Sequence, residues 1–151
     1  MSGFRASRLG RLSWTMFDWA NQPFYTLIMT FVFAVYFTDV FITGADGAQK
    51  FTLTQTISGI AIAILSPILG SISDLRGNRK RWMALWSLLF VIGMGLLWYA
   101  YPDAPNGIWL VMFGLILASM AVGFGEVFNN SMLTTIETKE NMGVLSGLGF
   151  G

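Results

Sequence analysis

Two short groups of polar residues in this apolar chain have the spacing that places side chains on one face of a helix. The first follows an i, i+3, i+4, i+7 pattern and the second an i, i+3, i+4 pattern; their members are Asp18, Asn21, Gln22 and Tyr25, and Glu126, Asn129 and Asn130. Carboxyl, phenol and amide groups in a membrane typically bind a polar solute or relay a proton. Both groups are candidates for a solute or proton pathway.

The residue types that are missing limit the chemistry. The chain contains no cysteine and no histidine, which excludes disulfides, thiol nucleophiles, imidazole bases and Cys or His metal sites. We therefore predict no catalytic residue, no cofactor and no metal. Net charge is +1 and the basic residues form two short clusters, so no nucleic-acid partner is expected.

Composition indicates the lipid bilayer as the main partner. The chain is 54% hydrophobic and 11% charged, whereas soluble domains contain about 25% charged residues. A membrane-spanning helix needs about 20 predominantly apolar residues. Four segments qualify, at about 14–42, 51–72, 82–101 and 108–128, and a fifth helix begins at about 143. The predicted fold class is an all-α, polytopic transmembrane helix bundle with four complete helices and the start of a fifth.

Basic residues set the predicted orientation. Arg5, Arg8 and Arg11 precede the first helix, and a second cluster at 76–81 follows the second helix. The positive-inside rule then places the N-terminus and the second loop in the cytoplasm. Both polar groups would lie toward that side and line an inward-facing vestibule. The alternative is that Asp18 and Glu126 sit at the headgroup boundary and only end the apolar spans.

The loop between the second and third helices contains a recognisable motif. Its segment GSISDLRGNRKR has the spacing G-x-x-x-D-x-x-G-x-R-K, which resembles the signature loop of the major facilitator superfamily; its positions are Gly70, Asp74, Gly77, Arg79 and Lys80. The resemblance implies a gating role, with Gly70 allowing close helix packing. Leu75 and Asn78 depart from the superfamily pattern, which implies weaker gating interactions. A plain basic hairpin is the alternative.

A second resemblance is more specific. FDWANQPFYTLIMTFVFAVYF, GIAIAILSPILGSISDLRGNRKRW, FNNSMLTTI and GVLSGLGFG are similar, in this order, to the vacuole effluxer (autophagy-related) family of that superfamily. The resemblance implies about twelve helices in two halves that work by alternating access. Nine residues from 143 to 151 cannot cross a bilayer, so we expect an N-terminal fragment of such a transporter, residues 1–151 forming part of the first half.

Three hypotheses about function follow. The first is a secondary transporter of a small solute, such as an amino acid, in the bacterial inner membrane, whose partners include the missing C-terminal half or another copy. The second is a non-transporting scaffold or an inactive truncated product. The third, an integral-membrane enzyme, is weaker because two carboxyl groups make a poor catalytic set. Ser119 stands where proton-coupled relatives carry an arginine, which leaves proton coupling open.

Overall fold

The computed structural model describes residues 6–76, 79–102, 107–137 and 141–150, with only the backbone described for 72–76, 134, 135 and 150. The described residues form five helices and no strand. Helix α1 spans Arg8–Phe41, α2 Ala45–Arg76, α3 Arg79–Leu96 with a 3-10 turn at Leu97–Tyr99, α4 Gly107–Ile136 and α5 Met142–Phe150. The first four are long and apolar enough to cross a membrane. The predicted all-α class is confirmed.

Helix α1 begins earlier than the apolar pattern indicates. The Ser7 hydroxyl accepts a hydrogen bond from the Gly10 backbone N–H at 3.2 Å, which caps the first turn. The helix then runs as α-helix through the polar stretch to Pro23. Because proline has no N–H and its ring crowds the preceding turn, the backbone bonding changes there. Wider π-helical turns follow at Phe24–Phe31 and Phe37–Phe41.

The turn between α1 and α2 depends on one glycine. Gly44 has φ of 83°, a left-handed conformation that side chains disfavour and glycine adopts freely. This residue reverses the chain immediately before α2. Lys50 then pairs with Asp46 one turn earlier on the exposed surface of α2.

Helix α4 is the central helix of the bundle. In its most apolar stretch of 18 residues, 50% of the residues are buried. The corresponding share is 11% in each of the other three spanning helices. It packs against α3 and α2 and also contacts α1 and α5. Helices α3 and α4 approach closely at Gly93. A Cβ added to this glycine would lie 2.8 Å from the Gly114 carbonyl oxygen and 3.0 Å from the Ala118 Cβ.

Small residues at four-residue spacing serve helix packing in α4. The pair Gly114 and Ala118 lies in the α3–α4 contact. In α2, a Cβ at Gly59 or at Gly70 would meet no neighbouring atom within 4 Å among the described residues. Among the described residues, no other helix packs closely at Gly70, so its expected packing role stays a prediction.

Apolar clusters at three levels hold the helices together. One joins α1 to α3 and α4 around Phe37, Val111 and Leu115. The next, around Phe24, Ala118 and Val122, lies where α1 crosses α4. The last contains Trp14, Ile136 and Leu145 and brings the start of α1 against α4 and α5. These contacts fix which faces of α1 and α4 point toward each other.

Candidate functional site

Three ionisable side chains from the two polar groups meet between α1 and α4. The phenol of Tyr25 lies close enough to the Glu126 carboxyl for the two groups to interact, and the Asp18 carboxyl acts electrostatically on Glu126. Asp18 and Glu126 are half-buried, and Tyr25 is 39% exposed. We refer to Asp18, Tyr25 and Glu126 as the carboxyl cluster.

The positions of these residues follow from the helix repeat. Asp18 and Tyr25 are seven residues apart on α1, so they lie on nearly the same face two turns apart. That face turns toward α4 because Phe24 packs against Ala118 and Val122. Glu126 lies one turn beyond Val122 on α4. The crossing of the two helices therefore brings the three side chains together.

Among the residues that the structure describes, the carboxyl cluster has no cationic partner. Within the described part of the chain, neither Asp18 nor Glu126 forms an ion pair with a lysine or arginine; the ion pairs seen there join Arg11 to Glu137 and Lys50 to Asp46. Two neighbouring carboxyl groups without such a partner favour binding a proton or an external cation. No metal-binding group of histidine, cysteine or carboxylate side chains occurs among the residues that the structure covers.

The four amides of the polar groups divide between the interior and the surface. Asn21 is 8% exposed and Asn129 is 1% exposed, whereas Gln22 and Asn130 are exposed. The Asn21 side chain lines a cavity of about 190 Å³ between α1, α3 and α4, beside Trp86. Its Nδ2, and both polar atoms of the Asn129 side chain, have no protein partner among the described residues. The structure thus brings Asp18, Tyr25 and Glu126 together and places Asn21 and Asn129 inside the bundle.

The predicted gating loop is described only in part. Asp74 lies in the last turns of α2, but its side chain is outside the described residues, as is Gly77. Arg79 begins α3 and donates from Nη1 to the Ser131 backbone carbonyl of α4 at 3.0 Å. Lys80 is exposed. The basic loop is therefore connected to the end of the central helix through Arg79.

The structure adds residues that the sequence did not single out for the site. Arg11 pairs with Glu137 at 3.1 Å, and the Trp14 indole N–H donates to the Asn129 carbonyl at 2.7 Å. The sequence used Arg11 only to set the orientation. The sequence did contain one signal that could have linked Arg11 to the site. Arg11, Asp18 and Tyr25 follow one another at intervals of seven residues, so they share a face of α1.

Comparison with known proteins agrees with this architecture. The profile of the Major Facilitator Superfamily matches residues 4–150. The MFS-type transporter YxiO of Bacillus subtilis (strain 168), described as uncharacterized, is 28% identical over 145 residues, which are 92% of this chain and 33% of that protein. The chain thus spans about a third of the length of this curated relative. No solved structure matches the chain. It is an integral, multi-pass membrane protein, and it belongs to the major facilitator superfamily.

Proposed function

We propose that this chain forms part of a secondary transporter that moves a small solute across a membrane by alternating access. The observation that carries the proposal is the carboxyl cluster between two membrane-spanning helices. Ionisable groups within a membrane are costly, and those that persist commonly face a substrate or ion pathway. In the major facilitator fold such a pathway lies at the interface between the two halves. Membership of the superfamily supports the proposal.

The solute or the coupling ion is expected to carry positive charge. Asp18 and Glu126 are acidic and have no lysine or arginine partner among the described residues. A proton or the ammonium group of an amino acid would relieve the repulsion between the two carboxyl groups. Amino acid transport, and the likeness to the vacuole effluxer family, belong to this proposal. The exposed Gln22 and Asn130 and the buried Asn21 and Asn129 would contribute hydrogen bonds to the same vestibule.

The proposed location is the bacterial inner membrane, with the N-terminus and the loop from Asp74 to Arg81 in the cytoplasm. The support for this orientation is the charge of the chain ends and loops. In that orientation the carboxyl cluster lies toward the cytoplasmic half of the bilayer. A partner that supplies the opposing helices, either a C-terminal half or another copy, would complete the pathway.

The proposal is tested with the purified chain in liposomes. Uptake of a panel of radiolabelled amino acids is measured beside chemical crosslinking of the same vesicles. We expect uptake only where crosslinking shows more than one chain in the assembly, because the superfamily's site lies between two halves. Uptake by a strictly monomeric chain would contradict the proposed vestibule, and no uptake in any assembly would favour a scaffold.

Variants of the carboxyl cluster test the residue assignment in any assembly that transports. Asp18→Asn and Glu126→Gln remove a carboxyl charge with little change in size, and each is expected to lower the transport rate at least about tenfold. Asp39→Asn is the matched control, since Asp39 is an exposed carboxyl near the opposite end of α1. If Asp18→Asn and Glu126→Gln transport as fast as the control Asp39→Asn, the assignment of Asp18 and Glu126 to the pathway is wrong.

A further inference from the structure

A largely buried ion pair joins the beginning of α1 to the end of α4. Arg11 Nη1 donates to Glu137 Oε2 at 3.1 Å, and the Glu137 side chain is only 2% exposed, against 23% for Arg11. Water weakens the attraction within a buried pair less than it weakens that within a surface pair. The contact therefore constrains the two helix ends more strongly than a surface pair would.

The ion pair lies on the same helix faces as the carboxyl cluster. Arg11 precedes Asp18 by seven residues on α1, which is about two turns or about 10 Å. Glu137 directly follows α4 and lies eleven residues after Glu126, which is about three turns or about 16 Å, and its backbone N–H still donates to the Leu133 carbonyl at 3.1 Å. The α1 and α4 faces that meet at the cluster thus meet again at the ion pair.

Two further bonds hold the same ends in register. The Ala6 backbone N–H donates to the Ile136 carbonyl at 2.9 Å. The Trp14 indole N–H donates to the Asn129 carbonyl at 2.7 Å, and Trp14 is 5% exposed. The α-helix from Arg8 to Pro23 is continuous. A shift of the Arg11 end would therefore be carried along α1 to Asp18.

The Asp18 carboxyl lies against α5, so a shift of α1 would change the surroundings of this carboxyl. A Cβ on Gly149 of α5 would lie 3.1 Å from Asp18 Oδ2 and 3.0 Å from the Trp14 ring. The carboxyl is therefore packed against the backbone of α5 on one side while it acts on Glu126 on the other. Movement of α1 would open this contact and expose the carboxyl.

We infer that Arg11 and Glu137 are positioning residues, whose ion pair holds the Asp18 carboxyl beside Glu126 and against α5. The inference rests on the proposed role of the carboxyl cluster in the pathway. It does not require Arg11 or Glu137 to touch the solute. It assigns a specific task to a pair whose partners lie 126 residues apart in the chain.

The test reads the reactivity of Asp18 and not transport, so that it stands whether or not the chain transports. The chain in lipid nanodiscs is treated with a water-soluble carbodiimide and an amine, which together modify carboxyl groups that water can reach, and labelling of Asp18 is followed by mass spectrometry across a pH series. Arg11→Lys and Glu137→Asp keep both charges but change the length or shape of one side chain of the ion pair. Each is expected to raise Asp18 labelling several-fold. Unchanged labelling in both would overturn the inference.

Neutral variants separate position from a direct charge effect. Arg11→Gln and Glu137→Gln change the local charge in opposite directions, yet both break the ion pair, so positioning predicts increased Asp18 labelling in both. If Asp18 labelling rose in one variant and fell in the other, the local charge and not the position of Asp18 would explain the change, and the inference would be overturned. The reversed pair, Arg11→Glu with Glu137→Arg, is expected to return labelling toward the original level. Arg8→Gln, an exposed cation on the same helix, and labelling of exposed Asp39 are the controls.

Discussion

Trp14 shows at the scale of one residue how the polar end of α1 is held inside the protein. Its ring is packed against Ile136 and Leu145, and its N–H reaches the Asn129 carbonyl at 2.7 Å. Buried tryptophan needs such a partner for its single donor. By contrast, the Trp86 indole N–H and the Asn129 side-chain amide have no partner among the described residues. Trp14 is therefore a structural anchor.

Replacing Trp14 with phenylalanine keeps most of the apolar contact and removes the hydrogen bond. We expect Trp14→Phe to lower stability by about 1 kcal/mol, since a hydrogen bond of this kind contributes about that much even in membrane proteins. Thermal unfolding of the purified chain in detergent would measure the change. Trp98→Phe is the control, because Trp98 is 86% exposed. Equal stability of the two variants would show that the Trp14 bond contributes little.

At the scale of elements, the contact between α3 and α4 depends on the absence of side chains. Gly93 faces Gly114 and Ala118 at distances that leave no room for a methyl group, since a Cβ there would lie 2.8 Å from backbone atoms. In a membrane, helices associate through close packing and not through exclusion from water. Small residues at this crossing let the central helix α4 pack closely against α3.

Two glycines of α3 form a matched pair for testing this contact. Gly93→Ala is expected to destabilise the chain by about 1–3 kcal/mol, because the added methyl group would push α3 from α4. Gly95→Ala should be neutral or stabilising by up to about 1 kcal/mol, since a Cβ there meets nothing within 4 Å and alanine favours the helix. Thermal unfolding compares them. A Gly93→Ala variant as stable as Gly95→Ala would contradict the observed packing.

At the scale of the whole molecule, the distribution of charge and the spanning helices together imply one orientation. The helix ends at Arg8 and Arg79 lie at one side of the bundle, because four spans joined by short turns alternate in direction. The Gly44 turn and the Asp46–Lys50 pair lie at the other side. The excess of basic residues at the first side predicts that it faces the cytoplasm.

Cysteine labelling tests the orientation without competition from native thiols, since the chain contains no cysteine. In intact cells, Asp46→Cys is expected to react with a membrane-impermeant maleimide, because it lies in the exposed first turn of α2, on the side that the proposed topology places away from the cytoplasm. Lys80→Cys, equally exposed at the opposite side, should react only after the cells are permeabilised. The reverse pattern would invert the proposed topology.

The sequence by itself determined the helical class and the number of spanning segments. These properties depend on composition and on spacing within one helix, which are local quantities. The same local pattern placed Asn21 and Gln22 on one face, yet Asn21 is buried beside Trp86 of α3 while Gln22 stays exposed. The early start of α1 at Arg8 was also missed, because its polar turns are supported by contacts with α4 and α5 and not by an apolar stretch of their own.

Only the tertiary structure decided which polar groups meet. Tyr25 and Glu126 are 101 residues apart, and Arg11 and Glu137 are 126 residues apart. No spacing rule connects such residues, because the rotation of each helix about its axis is set by how its apolar face packs. The clusters around Phe24 and Trp14 set that rotation for α1 against α4. For this reason the two polar groups could be predicted from the sequence, but neither the meeting of Asp18, Tyr25 and Glu126 nor the ion pair between Arg11 and Glu137 could.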